Sequence, residues 1–173
     1  MNKLLLLLLT SGFVAITYAS EVTGSQNCTT HGGVIESMTA TYKAESAAFF
    51  GPEVNVCKLN NSIVGVDTLS TKPTIAATYL MKLDKTSMDK ISADIAKLPN
   101  YHPGANQSSY LCKLLNGQEN AYKDAAGETN VCYFSDLSSV DSWTLLYTAN
   151  DDESKIKGIL QSKPLTTQLP YTK

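Results

Sequence analysis

Four cysteines, Cys28, Cys57, Cys112 and Cys132, follow an apolar leader, and no Cys-x-x-Cys occurs among them. An even count behind a leader reads as a disulfide framework with three possible connectivities, not as a redox or zinc motif. The leader sets the compartment. Lys3 gives a positive start, Leu4 to Leu9 open an apolar run reaching Ile16, and Thr17-Tyr18-Ala19 places small residues at the −3 and −1 positions. Residues 1–19 therefore read as a secretory signal cleaved after Ala19. The apolar run falls short of the roughly 18–20 residues that a membrane span needs. No cysteine follows the cleavage site to carry a lipid. The expected location is secreted or periplasmic, with no stable membrane anchor.

Self-comparison shows an internal repeat. Asn55-Val56-Cys57 recurs as Asn130-Val131-Cys132, and the spacing from Cys28 to Gly33 recurs from Cys112 to Gly117. Downstream, Thr78-Tyr79-Leu80 with Asp84 resembles Thr144-Leu145-Leu146 with Asn150. Lys90-Ile91, Ile95 and Pro99 match Lys155-Ile156, Leu160 and Pro164 in the same order. The expected fold is α+β: two homologous, disulfide-stapled helix–β-hairpin–strand–helix units in a pseudo-symmetric body. The units span residues 20–99 and 107–164, and residues 165–173 form a C-terminal tail. If both units fold alike, each closes its own bridge, Cys28–Cys57 and Cys112–Cys132. Each bridge contributes roughly 3 kcal/mol in the chain-entropy model.

Local signals fill in each unit. Asn106 and Ser108 are cap residues for an opening helix through Tyr110-Leu111-Cys112, and a glycine closes it at the left-handed cap position. Asp124-Ala125-Ala126-Gly127 supplies a hairpin turn, with Val131-Cys132-Tyr133-Phe134 as the return strand. The β-branched and aromatic content of Ile75–Leu83 and of Trp143–Thr148 predicts a strand in each unit. On such a strand Trp143 and Tyr147 share a face and belong in the core. The final helix of the first unit is expected to start at a capping box, Thr86-x-x-Asp89. It buries Met88, Ile91, Ile95 and Leu98 and stops at Pro99. In the second unit Asp151, Asp152 and Glu153 fill the first helical turn, and Ile156, Ile159 and Leu160 form the buried stripe.

The second unit resembles a family of bacterial envelope domains of unknown function that carry the label haemolysin. The resemblance lies in Cys112, Gly117, the hairpin Asp124 to Gly127, Cys132-Tyr133-Phe134 and Val140-Asp141-Ser142-Trp143-Thr144-Leu145. The first unit keeps Cys28, Gly32-Gly33, Cys57 and Val66-Asp67 but has no Trp. Members of that family are commonly short, single-copy and lipid-anchored, so the duplication and the missing lipid cysteine are departures. The resemblance implies a bacterial envelope or secreted location.

No constellation for catalysis emerges. Gly-x-Ser-x-Gly is absent, and two histidines this far apart do not suggest a triad. Cys28-x-x-His31 imitates a metal pair, but its counterpart in the second unit is Leu115 and Cys28 belongs to a disulfide. Asn150-Asp151-Asp152-Glu153 lacks the alternating ligands and glycine of a calcium loop. No metal and no cofactor are expected. The net charge of −2 and the complete lack of arginine argue against a nucleic-acid partner. Asn27, Asn60 and Asn106 head glycosylation sequons that matter only in a eukaryotic source.

The leading expectation is a secreted, non-enzymatic binding or structural module, such as an inhibitor of an extracellular enzyme or a host-facing factor. A membrane-active protein is the alternative, and an uncharacterised enzyme the third reading. The segment between cysteines is longer in the first unit, and its extra length falls at Ala47-Ala48-Phe49-Phe50-Gly51-Pro52. Two adjacent Phe beside Gly-Pro give an apolar tip that a protein partner could contact. The competing reading folds that tip back, with one Phe in the core.

Overall fold

The computed structural model describes residues 23–41, 53–102, 104, 106–151, 154–166 and 169. The leader and the Ala47–Pro52 segment lie outside the described residues. Each disulfide unit opens on a capped helix. Thr23 and Gln26 form a capping box for α1 (Gly24–Thr30), and Asn106 Oδ1 accepts from the Ser108 amide at 3.0 Å to start α4 (Gln107–Leu114). Cys28 on α1 bonds Cys57 on β2 (Glu53–Leu59), and Cys112 on α4 bonds Cys132 on β5 (Glu128–Tyr133).

The glycines after these helices have a different role from the one their spacing predicts. Gly32 and Asn116 hold the left-handed conformation, at φ 78° and 59°. Gly33 and Gly117 are needed one residue later for space. A Cβ on Gly33 would lie 2.6 and 2.7 Å from the two sulfurs of its disulfide, and one on Gly117 would lie 2.4 and 2.8 Å from the sulfurs of the other. The chain must pass its own bridge at this distance, and only glycine permits it.

β1 (Val34–Ala40) pairs antiparallel with β2, and β4 (Gln118–Lys123) with β5 across the Asp124–Gly127 turn. Asp124 Oδ1 accepts from the Ala126 and Gly127 amides at 2.7 and 3.0 Å, an Asx-type turn. Two short strands not expected from the sequence, β3 (Ser62–Gly65) and β6 (Ser139–Asp141), join the hairpins. The six strands close into a barrel in the order β1-β2-β3-β6-β5-β4. The closing contacts are narrow: Val64 opposite Val140, and Thr39 and Ala40 opposite Lys123 and Tyr122. Side-chain oxygens reinforce the first. The Ile63 amide donates to Thr144 Oγ1 at 2.9 Å, and the Ser139 amide donates to Thr68 Oγ1 at 3.1 Å.

The predicted strands Ile75–Leu83 and Trp143–Thr148 are helices, α2 (Ile75–Lys82) and α5 (Ser142–Asn150). Ile75 through Leu80 are all buried, so α2 has no wet stripe along which a helical period could show. Its start is satisfied by side chains. Thr74 Oγ1 accepts from Ala77 N, while Asp136 and Ser138, from the β5–β6 turn, accept from Ile75 N and Ala76 N. Asp141 Oδ1 caps α5 by accepting from Thr144 N at 2.7 Å.

The closing helices are α3 (Lys85–Ile95) and α6 (Lys155–Leu160). Their N-caps are Asp84 and Ser154, so Thr86 lies inside α3 and Asp151 precedes α6 instead of filling its first turn. Met88, Ile91 and Ile95, and Ile156, Ile159 and Leu160, are buried as their spacing predicts. Leu98 lies beyond the end of α3 and is half-buried.

The molecule is α+β with apolar packing on both faces of its barrel. Cys57, Leu59, Val64, Cys132 and Val140 turn outward beneath the helices into the larger core. Met38, Val56, Tyr122, Val131 and Tyr133 turn inward and pack together inside the barrel. Period-two alternation along β2 and β5 separates the two sets.

Candidate functional site

The two ends of the barrel interior are finished differently. At one end Lys58, beside Cys57 on β2, is turned inward. Its ammonium pairs with Glu36 Oε2 at 2.7 Å and with Asp124 Oδ2. The hydrogen bonds to Asp124 and then Glu36 raise the Lys58 pKa, and the Lys58 ammonium in turn lowers that of Asp124. A cavity of about 180 Å³ is left between Met38, Lys58, Ile63, Asp124 and Thr129.

Among the described residues the other end holds a larger cavity, of about 420 Å³. Val54, Tyr122, Tyr133 and Ser139 bring the barrel interior to its wall, and Asp67 stands at its rim. Glu53 and Asn55 border it from the outward face of β2, where the Glu53 carboxylate accepts from Ser37 Oγ at 3.4 Å. The Tyr122 and Tyr133 rings are tilted with centroids 5.9 Å apart. Burial, followed by a hydrogen bond with Tyr122, holds the Tyr133 hydroxyl protonated far above the usual tyrosine range, with Ser139 acting in the opposite direction. Gly65 lets Ser139 pack directly against the β3 backbone. A Cβ there would lie 2.3 Å from Ser139 Oγ. Leu137, in the left-handed region at φ 65°, completes the lining and is itself 68 % exposed.

Beneath this end lies Lys163, whose Nζ donates to the Thr68 carbonyl at 2.7 Å and approaches Thr74 Oγ1 at 3.4 Å. Burial lowers its pKa to about 8, against the raising influence of Asp136 and Asp67.

Among residues named from the sequence, the four cysteines are fully buried staples. Trp143 and Tyr147 are not core. They are 41 % and 64 % exposed, stacked with centroids 5.6 Å apart and planes 23° apart. Residues four apart share a face on a helix as residues two apart do on a strand, and here that face meets water. His31 caps its own helix, its Nδ1 2.8 Å from the Asn27 carbonyl, and is exposed. Among the described residues no three His, Cys, Asp or Glu converge as a metal site.

Sequence reasoning missed the larger cavity. Its one local trace is that Lys58 and Tyr133, polar residues in otherwise apolar strand ends, each follow the second cysteine of a unit. No family model, no curated protein and no solved structure matches the chain.

Proposed function

We propose that this chain is a secreted, non-enzymatic binding module, built by duplication, that holds a small ligand in the larger cavity at one end of its barrel. The observation that carries the reading is the 420 Å³ cavity running onto buried Tyr122 and Tyr133. That volume and its mixed apolar and polar wall are typical of small-molecule sites. The two disulfides fit an oxidising compartment, and the leader pattern of residues 1–19 supports export. Among the described residues no helix is long and apolar enough to cross a membrane.

Duplication with pseudo-twofold symmetry is supported at the closures of the barrel. Val64, opposite Cys57, pairs with Val140, opposite Cys132. Thr39 and Lys123, equally spaced from Gly33 and Gly117, pair with each other. Contacts between counterparts are what an isologous interface requires. The two threonine bonds at the β3–β6 closure are likewise reciprocal: Ile63 to Thr144, and Ser139 to Thr68.

A second reading, docking of a protein partner, is favoured by the exposed Trp143–Tyr147 stack, because aromatic anchors dominate protein interfaces. A fragment screen followed by amide chemical-shift mapping on the full chain separates the two. The expected result is saturable shifts at Tyr122, Tyr133 and Ser139. Hits confined to α5, or no fragment that moves the mouth, would overturn the small-ligand reading.

A further inference from the structure

The seam between β1 and β4 is closed along only part of β1. Positions Val34 to Thr39 of β1 pair with β2, but only Thr39 and Ala40 pair with β4, at Lys123 and Tyr122. The next position is bonded as well, the Thr41 amide donating to the Ala121 carbonyl at 2.8 Å. Bonded positions of an antiparallel pair recur at every second residue. Thr41 and Thr39 therefore turn their amides and carbonyls towards β4, and so do Ser37 and Ile35 further back along the same edge. β4 ends at Lys123, opposite Thr39, and turns at Asp124 into its hairpin. On that side of Ser37 and Ile35 no strand stands among the described residues. The Gly33 carbonyl extends the same free row. The Gly33 amide is already taken by the Cys28 carbonyl at 2.9 Å, and the chain arrives from α1 through the left-handed Gly32.

The side chains of this stretch are exposed along with its backbone. Val34 is 59 % exposed, Ile35 is 37 % exposed, and Ser37 also meets water. Apolar side chains beside unpaired strand groups are suited to covering by another strand. The stretch belongs to the Lys58 end of the barrel. Residues 42–52 leave β1 from its other end, at Thr41, which is about 23 Å along the strand from Val34.

A second copy of the chain fits this edge by symmetry. A twofold axis at Ile35 sets the two Ile35 residues opposite each other, and each Ser37 opposite Gly33 of the other copy. The Ile35 amides and carbonyls then bond reciprocally, and each Ser37 amide meets a Gly33 carbonyl. The adjacent bonded register, Ile35 against Ser37, would instead oppose the two Glu36 side chains, and like charges directly opposite destabilise a strand pair. The length agrees as well. The incoming strand begins at Gly33, opposite Ser37, and so stops short of Lys123, which stands opposite Thr39.

We propose that the chain self-associates as a twofold dimer by antiparallel pairing of the Gly33–Ser37 edges of two copies, an isologous contact that makes one sheet in the order β2-β1-β1-β2. The larger cavity lies at the opposite end, so the dimer stands or falls independently of the ligand reading. An edge this short buries less than a standard interface, and the association is correspondingly weak.

The test is sedimentation equilibrium of the chain freed of residues 1–19, from roughly 10 μM to 1 mM, with amide-shift mapping over the same range. Expected is a mass rising from monomer towards dimer, with concentration-dependent shifts and slowed hydrogen exchange at the Ile35 and Ser37 amides. Ser37→Pro removes a donor that the fold itself does not use, and Ile35→Lys opposes two charges at the axis. Each should weaken association by about tenfold or more while far-ultraviolet circular dichroism stays native. If Ser37→Pro does not fold, Ile35→Lys decides alone. A monomer throughout the range overturns the proposal and leaves the edge to an extended peptide of another protein. A dimer whose shifts lie away from β1, or one that survives Ile35→Lys, overturns it equally.

Discussion

Gly117→Ala places a methyl carbon 2.4 Å from Cys132 Sγ and 2.8 Å from Cys112 Sγ, where ordinary contact needs about 3.5–4 Å. Both cysteines are fully buried, so the bridge has no free space into which to retreat. Overpacking of this kind costs about 1–3 kcal/mol, and displacement by more than 1 Å against a covalent link puts the expected cost near about 3 kcal/mol. For a chain of this size that lowers the Tm by roughly 6–12 °C. The cause can be isolated in a double-mutant cycle. Replacing Cys112 and Cys132 by Ala removes a crosslink between residues 20 apart in sequence, which costs about 3.3 kcal/mol by loop entropy. It also removes the two sulfurs. In that background the two shortest contacts are gone, and the carbonyl of residue 112 lies 3.1 Å from the added methyl. Gly117→Ala should then cost about 1 kcal/mol or less, leaving a coupling of about 2 kcal/mol. Urea unfolding followed by far-ultraviolet circular dichroism, on all four proteins, measures each term. Equal costs in the two backgrounds, or a cost below about 1 kcal/mol in the native one, would refute the packing argument. Gly33→Ala, with contacts of 2.6 and 2.7 Å, should behave in the same way at the other bridge.

Lys58→Met should destabilise by about 1–3 kcal/mol by leaving Asp124 without its cation. Because Asp124 has a lowered folded pKa, its contribution is present above the ordinary carboxylate range and is lost as pH falls through the folded value. The stability gap between wild type and variant should therefore shrink in acid urea titrations below about pH 4. Lys163 has a folded pKa of about 8 against 10.5 for the free group, so the unfolded chain binds more protons between those values. Its contribution to stability should rise with pH from about 8 towards 10 and vanish in Lys163→Met; a pH-independent difference between the two proteins would refute this. Tyr133, held protonated by burial, acts in the opposite direction above about pH 10 and sets the upper limit of the useful window. Trp143→Ala should change stability by less than about 1 kcal/mol, whereas Leu145→Ala, fully buried on α5, should cost about 2–5 kcal/mol. Trp143 is the one tryptophan of the chain, so ready acrylamide quenching of its fluorescence checks the exposed face directly.

Local patterns in this chain were legible wherever an element keeps a wet side or a special turn residue. α3 shows its stripe, Asp124–Gly127 marks its turn, and the repeated Asn-Val-Cys together with the Cys-to-Gly spacing selects the disulfide pairing. α2 and α5 carry strand-like composition because their apolar residues continue around the helix. Their caps come partly from residues distant in sequence, Asp136 and Ser138 for α2. A strand would bury Trp143 and Tyr147, whose common face is wet on a helix.

The cysteine framework, the two hairpins and the opening and closing helices follow from residues close together in the chain, which is why local patterns reveal them. Only contacts between distant strands close the hairpins into one barrel, through Val64–Val140 and Thr39–Lys123, and set Lys58 between Glu36 and Asp124 at one end of its interior. Those outcomes depend on which side chains from the two halves meet across the barrel, and pairing between distant strands leaves no period in either of them.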